Sequence, residues 1–185
     1  DSENLKKLRK KYNLKPDDFV VLAVGRMVWE KGWYDLIPAA LRVRQKIENA
    51  KFFFIGSGPE REYLEKFSKQ LGLSGTIAFT ALPYSQMDNV FRMADLFVYP
   101  TLPTVRWNAQ WGGGVVAEAM SSALPIVATL NGGVIDLVGR EGGIFLQPQR
   151  FSDLADAIVK FARDPGLRHK IGKRNRKVAL KLYSP

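Results

Sequence analysis

Residues 19–32, FVVLAVG followed by RMVWEKG, decide how this chain folds. Phe19 to Val24 is an unbroken apolar run closed by Gly25, and a run without polar alternation reads as a strand buried on both faces. Such strands belong to parallel sheets, whose neighbours are joined by crossover helices. Residues 33–48 supply a crossover, with Leu36, Ile37, Ala40, Leu41 and Ile47 at helical spacing and charges between them.

The alternation then repeats. Residues 51–56 (KFFFIG) read as a second strand leading into Ser57-Gly58-Pro59. Pro59 suits a first helical position, and residues 60–71 form a polar, amphipathic helix. Further on, 76–80 is a strand, 85–93 a helix and 96–99 a strand. A long loop from Pro100 to Gly114 precedes a helix near 115–121 and a strand at 126–128. A last strand at 143–146 is followed by helices at 152–163 and 167–180. About six strands alternating with helices specify a three-layer α/β/α, Rossmann-like domain with a doubly wound parallel sheet. In such sheets ligands bind beyond the carboxyl ends of the strands, so the residues just after each strand carry the information.

The chain has 185 residues, 46% of them hydrophobic and 11% aromatic, ample for one packed core. No stretch reaches the roughly 18 consecutive apolar residues of a membrane span, and the first residues, DSENLKKLRKKY, are too polar for a secretory signal. The absence of cysteine removes disulfides and thiolate metal sites and fits a reducing compartment, so a cytoplasmic location is expected. A lone histidine, His169, makes no metal cluster. The net charge of +10 is concentrated at the ends: residues 1–15 carry six Lys/Arg against two acids, and residues 166–185 carry seven against none. The middle is nearly neutral. Both ends read as amphipathic helices with solvated basic faces; docking on anionic lipid at the inner membrane surface is the alternative. No nucleic-acid-reading motif is present.

Four segments could carry chemistry. After the first strand, Gly25-Arg26-Met27-Val28-Trp29-Glu30-Lys31-Gly32 places two cations over the strand end, beside the start of the next helix. A forked guanidinium, an ammonium and free helix N–H groups suit a diphosphate. The same spacing also fits a solvated Arg and Lys flanking a turn, with Lys31 paired to Glu30. The turn Gly56-Ser57-Gly58-Pro59 follows the second strand and lacks the third glycine of a dinucleotide fingerprint, so a tight turn or a close backbone approach is the expectation. The long loop ends in Gly112-Gly113-Gly114, costly to order by roughly 1 kcal/mol each relative to alanine, which points to amides used by an anion. Glu118 follows in the first turns of the helix. It can accept two hydrogen bonds from a vicinal diol such as ribose, or simply be stabilised by the helix dipole. Finally, Asn131-Gly132-Gly133 makes a third glycine turn on the same edge, which an Asn-Gly turn alone would explain.

In order, VGRMVWEKG, FFFIGSGPERE, IAFTALP, ADLFVYPT, the EAM-S-SALPIVAT run and the NGG turn resemble the retaining GT-B glycosyltransferases of family 4, the group 1 glycosyl transferases, over about residues 10–185. The resemblance implies the C-terminal, nucleotide-sugar-binding half of a GT-B fold, with the acceptor domain expected on a preceding part of the protein. Residues 1–15 are then a linker or the start of the domain, 16–165 the donor domain and 166–185 a basic helix packed on it.

The resemblance also implies residue roles. Arg26 and Lys31 match the basic pair that neutralises the donor diphosphate in place of a metal, with Gly25 beside them. Glu118 matches the second glutamate of the family's E-x7-E motif, which takes the ribose hydroxyls. The first glutamate, which faces the donor sugar, has no counterpart: one register gives Gln110 and the other Ala109. Backbone at Thr80, Ala81 and Leu82 is expected near the base, and Gly112, Gly113, Gly114 and Val115 are expected to offer amides to phosphate or sugar. The implied reaction moves a sugar from a UDP-, GDP- or ADP-sugar to a hydroxyl acceptor with retention, in glycan biosynthesis, without a metal or further cofactor. The chain alone should bind nucleotide without turning over. The alternatives are a GT-B epimerase, a non-catalytic nucleotide-sugar-binding module, and an NAD-binding dehydrogenase domain, whose G-x-G-x-x-G is missing after the first strand.

Overall fold

The computed structural model describes residues 2–103, 113–130 and 132–183. Six parallel strands form one sheet: β1 (Phe19–Val24), β2 (Ala50–Ile55), β3 (Ile77–Thr80), β4 (Leu96–Tyr99), β5 (Ile126–Thr129) and β6 (Gly143–Leu146). Their order is β3-β2-β1-β4-β5-β6, so the chain builds outward from β1 in one direction and then returns to build outward from β4 in the other. The expected doubly wound fold is therefore present. Its switch point lies between β1 and β4, where Val21 pairs with Leu96 and Leu22 with Phe97.

Strand β1 alternates between two cores because successive side chains leave opposite faces. Phe19, Val21 and Ala23 join one core with α2 (Trp33–Lys46), α3 (Arg61–Gln70) and α7 (Phe151–Arg163). Val20 and Leu22 join the other with α1 (Ser2–Lys11), α4 (Met87–Met93), α5 (Gly113–Ser121) and α6 (Gly132–Val138). Helix α8 (Pro165–Tyr183) touches both. Leu167 and Ile171 pack on the first core, and Val178 and Ala179 on the second. It crosses at the amino end of the sheet, where the Arg168 guanidinium lies 5.1 Å from the Phe19 ring centroid.

Several element boundaries differ from the sequence reading, each for a local reason. Helix α2 stops at Lys46 because Ile47 is already extended, although its N–H still reaches the Val43 carbonyl. The expected helix 85–93 divides: Tyr84–Gln86 forms a 3-10 turn after extended Pro83, and α4 begins at Met87. Helix α3 begins at Arg61, with Glu60 at its cap, so Pro59 precedes the helix rather than opening it. Helix α8 starts at Pro165 because the Asp164 carboxylate accepts the Leu167 N–H at 2.8 Å, a side-chain cap with proline in the first turn.

The basic ends divide into two kinds of residue. Lys6, Lys7, Lys10 and Lys11 on α1, and Lys173, Arg176 and Lys177 on α8, are exposed. Arg9, Arg168 and Arg174 instead donate to backbone carbonyls: Arg9 to Met93, Arg168 to Phe161 and Arg174 to Val138. Among the described residues, no helix is long and apolar enough to cross a membrane.

Candidate functional site

The turn after β1 is fastened to the chain leaving β4. The Leu102 N–H donates to the Glu30 carbonyl at 2.8 Å. Gly32 has φ of 72°, and a Cβ there would lie 1.9 Å from the Pro100 carbonyl oxygen, so only glycine lets the two segments press together. Trp33, buried in the first turn of α2, donates its indole N–H to the Arg26 carbonyl at 2.9 Å. Consequently the Arg26–Lys31 segment is fixed over the switch point, although Arg26–Val28 is irregular and only Trp29–Lys31 forms a 3-10 turn.

Lys31 and Arg26 differ in how they are held. Lys31 is half-buried; its ammonium donates to the Tyr99 hydroxyl at 3.3 Å and lies 5.4 Å from the centroid of that ring. It makes no ion pair with Glu30, contrary to the local-pairing alternative for this turn. Arg26 is exposed, and no hydrogen bond or ion pair engages its guanidinium among the described residues. One cation is therefore pre-positioned by the sheet, and the other faces solvent beside it.

The second glycine turn is a packing device. Gly56 has φ of 152°, and a Cβ there would meet the Gly25 carbonyl oxygen at 1.9 Å. The close approach that the glycine permits is therefore to the β1 turn itself. The Gly25 N–H donates to Ile55 and the Met27 N–H to Ser57, which ties the two turns together. Next to them, burial and the neighbouring Glu30 hold the Glu60 carboxyl above its ordinary range, and the Trp29 N–H opposes that rise. One oxygen of this carboxyl is buried without a hydrogen-bond partner.

Farther along the edge, Thr80 ends β3 and its hydroxyl accepts from Tyr12 at 3.3 Å, with exposed Ala81 and half-buried Leu82 following. Gly113 and Gly114 form the first residues of α5 instead of a loop ahead of it, with Val115 next. Gly112, Gln110, Ala109 and Asn131 lie outside the described residues. Glu118 stands in the second turn of α5, half-buried, and accepts the Tyr84 hydroxyl proton at 3.0 Å. That bond, more than any other effect, pushes the Tyr84 phenol up from its ordinary range. Tyr84 thus joins the Thr80–Leu82 segment to Glu118 across an open cleft of about 510 Å³ between α4 and α5. His169 is exposed on α8, next to Arg168 at the opposite, amino end of the sheet.

Sequence reasoning placed Arg26, Lys31, Thr80, Ala81, Leu82 and Glu118 on this edge and missed Tyr99 and Tyr84. Tyr99 was legible only as the last residue of a strand. Tyr84 falls between the strand expected at 76–80 and the helix expected at 85–93, and nothing local signals its bond to a residue on α5.

Comparison with known proteins agrees with this architecture. The model of the glycosyl transferases group 1 family matches residues 4–178. Alpha-D-kanosaminyltransferase of Streptomyces kanamyceticus is 31% identical over 180 residues, which cover 96% of this chain and 45% of that protein. The capsular polysaccharide biosynthesis glycosyltransferase CapM of Staphylococcus aureus is 32% identical over 179 residues, covering 92% of this chain and 44% of that protein. The chain spans less than half the length of these relatives. In fold, it is similar to the C-terminal domain of a glycosyl transferase group 1 family protein (LpcC) from Francisella tularensis, with a TM-score of 0.81 and 23% identity over 98% of this chain and 91% of that one. It is also similar to Anabaena HepE, solved in complex with UDP and glucose, with a TM-score of 0.83 and 23% identity over 98% of this chain and 48% of that one. A Rossmann-like six-stranded parallel sheet, a basic turn at its switch point and a match along nearly its whole length together give the assignment: the chain belongs to the glycosyl transferases group 1 family.

Proposed function

We propose that this chain is the donor-binding domain of a retaining family 4 glycosyltransferase that transfers a sugar from a nucleoside-diphosphate sugar to a hydroxyl acceptor. The observation that carries the reading is the pre-positioned Lys31 beside unengaged Arg26 at the switch point, where α/β sheets bind their ligands. In this reading the two cations neutralise the diphosphate and stabilise it as it leaves with the nucleotide, a role that a divalent cation would otherwise fill. Glu118 takes the ribose hydroxyls, backbone at Thr80–Leu82 borders the base, and the α5 amides at Gly113–Val115 reach phosphate or sugar. The sugar would depart through an oxocarbenium-like centre attacked from the same face. UDP in the similar HepE structure supports a nucleoside diphosphate as the ligand class.

The acceptor cleft belongs, on this reading, to a part of the protein preceding this chain, so the chain should bind nucleotide without turnover. Glycan biosynthesis is the matching process, given relatives such as CapM. A non-catalytic nucleotide-sugar-binding module is the second reading, favoured by Gln110 or Ala109 where the family places its sugar-facing glutamate. Titration calorimetry against UDP, GDP and ADP, with NAD as control, tests the proposal. Binding of at least one nucleoside diphosphate supports it; tight NAD binding with none of the three bound would overturn it. Turnover by this chain at the rate of the full-length enzyme would overturn the expectation of an incomplete enzyme.

A further inference from the structure

Tyr84 is 79% exposed, the most exposed large apolar-bodied side chain among the described residues, yet its hydroxyl is committed to Glu118 at 3.0 Å. An exposed tyrosine normally gives its hydroxyl to water, so a bond to a carboxylate 34 residues away needs the backbone to bring the two together. Three features do so. Extended Pro83 ends the β3 loop, the 3-10 turn Tyr84–Gln86 lifts residue 84 off the start of α4, and Met87 buries that start against the core. On the other side, Glu118 projects from α5 one turn before Ser121 and Ser122, which continue the same cleft.

We propose that Tyr84 is a positioning residue for the nucleoside end of the donor site. Its hydroxyl holds one Glu118 oxygen, so that the carboxylate presents its remaining lone pairs to the ribose diol, while its ring walls the cleft on the side of the base. The inference rests on the reading of Glu118 as the ribose ligand. A carboxylate has about four acceptor sites, so one phenol can orient it and leave room for two sugar hydroxyls. An unheld glutamate would lose rotamer freedom when ribose binds; a glutamate already fixed by Tyr84 loses less, and the difference appears as affinity. The ring adds a flat apolar face of the kind on which bases stack. Ser85 of the 3-10 turn, with Asp88 and Phe91 of α4, completes that wall, giving the cleft both apolar and hydrogen-bonding surface.

The test is a double-mutant cycle read by titration calorimetry on the intact chain, using UDP, GDP and ADP and the 2′-deoxy form of whichever binds. Tyr84→Phe keeps the ring and removes the hydroxyl, and at so exposed a position it should leave folding intact. Expected is a loss of about three- to tenfold in affinity for the ribonucleotide in the wild-type background. The loss should shrink below about twofold in a Glu118→Gln background and for the 2′-deoxynucleotide, because the phenol acts through the carboxylate and the carboxylate through the diol. Tyr84→Leu should lose more than Tyr84→Phe, by the contribution of the ring. Unchanged or tighter binding by Tyr84→Phe, or an equal loss in the Glu118→Gln background, would overturn the positioning role while leaving nucleotide binding in place. Failure of the wild-type chain to bind any of the three nucleotides would overturn both, and that result is distinct because it appears before any substitution is made.

Discussion

The Lys31 ammonium donates to the Tyr99 hydroxyl at 3.3 Å and sits 5.4 Å from the centroid of its ring, so the last residue of β4 holds the cation that follows β1. The pair spans the point where strand order reverses, and Tyr99 itself is only 5% exposed. On the proposed reading, a lysine held this way would meet a diphosphate with part of its side-chain entropy already lost, which favours binding.

Removing that cation should cost more than loosening its support. Lys31→Ala and Arg26→Ala are each expected to weaken nucleoside-diphosphate binding by about 1–3 kcal/mol, the range for charge-assisted hydrogen bonds. Tyr99→Phe keeps the ring beneath the ammonium and should cost less than about 1 kcal/mol. Calorimetric titration of the three variants checks the order, and unchanged affinity in Lys31→Ala would return this turn to a solvated one.

Gly56→Ala is expected to destabilise the fold by about 3 kcal/mol or more, because the added methyl meets a backbone oxygen that cannot swing aside. Urea unfolding should show a lower midpoint with the slope unchanged. Gly75→Ala provides the contrast. It has a positive φ of 79° and nothing within 4 Å, so its cost should be the smaller one of backbone strain alone.

Asn175 is fully buried, and its amide donates to the carbonyls of Leu124 at 2.9 Å and Gly142 at 2.7 Å, fastening α8 to the loops flanking β5 and β6. Asn175→Leu leaves both carbonyls without this partner, and a loss of about 2–5 kcal/mol is expected in the same unfolding assay. A loss below about 0.5 kcal/mol would mean that water replaces the amide at no cost.

Asp95 accepts the Val20 N–H at 2.8 Å at the amino end of β4. Burial raises its carboxyl above the ordinary aspartate range, against the lowering effects of that N–H and of Arg168 and Arg9. A carboxyl whose folded-state pKa is raised favours the fold in its protonated form, so its contribution is fully present below the unfolded value and is lost as pH rises through the folded one. Asp95→Asn keeps an acceptor for Val20 and removes the charge. The variant should therefore gain stability relative to wild type as pH rises from the ordinary carboxylate range towards neutrality. Thermal melts across that range check the sign, and a variant that loses stability relative to wild type as pH rises would contradict it.

By itself the sequence determined the elements and the edge on which chemistry could sit. FVVLAVG with its following amphipathic helix, and the repetition of that unit, imposes a parallel sheet because local periodicity decides which faces must be buried. The positions of Arg26, Lys31, Thr80 and Glu118 at strand and helix ends follow from the same periodicity. Only the tertiary structure decided which side chains meet there. Lys31 finds Tyr99 across 68 residues and Glu118 finds Tyr84 across 34. Both pairings depend on β4 lying next to β1 and on a 3-10 turn after Pro83. Neither feature has a local signature, because strand order and the lift of one turn are settled by packing energies summed over the whole sheet rather than by the residues that end up in contact.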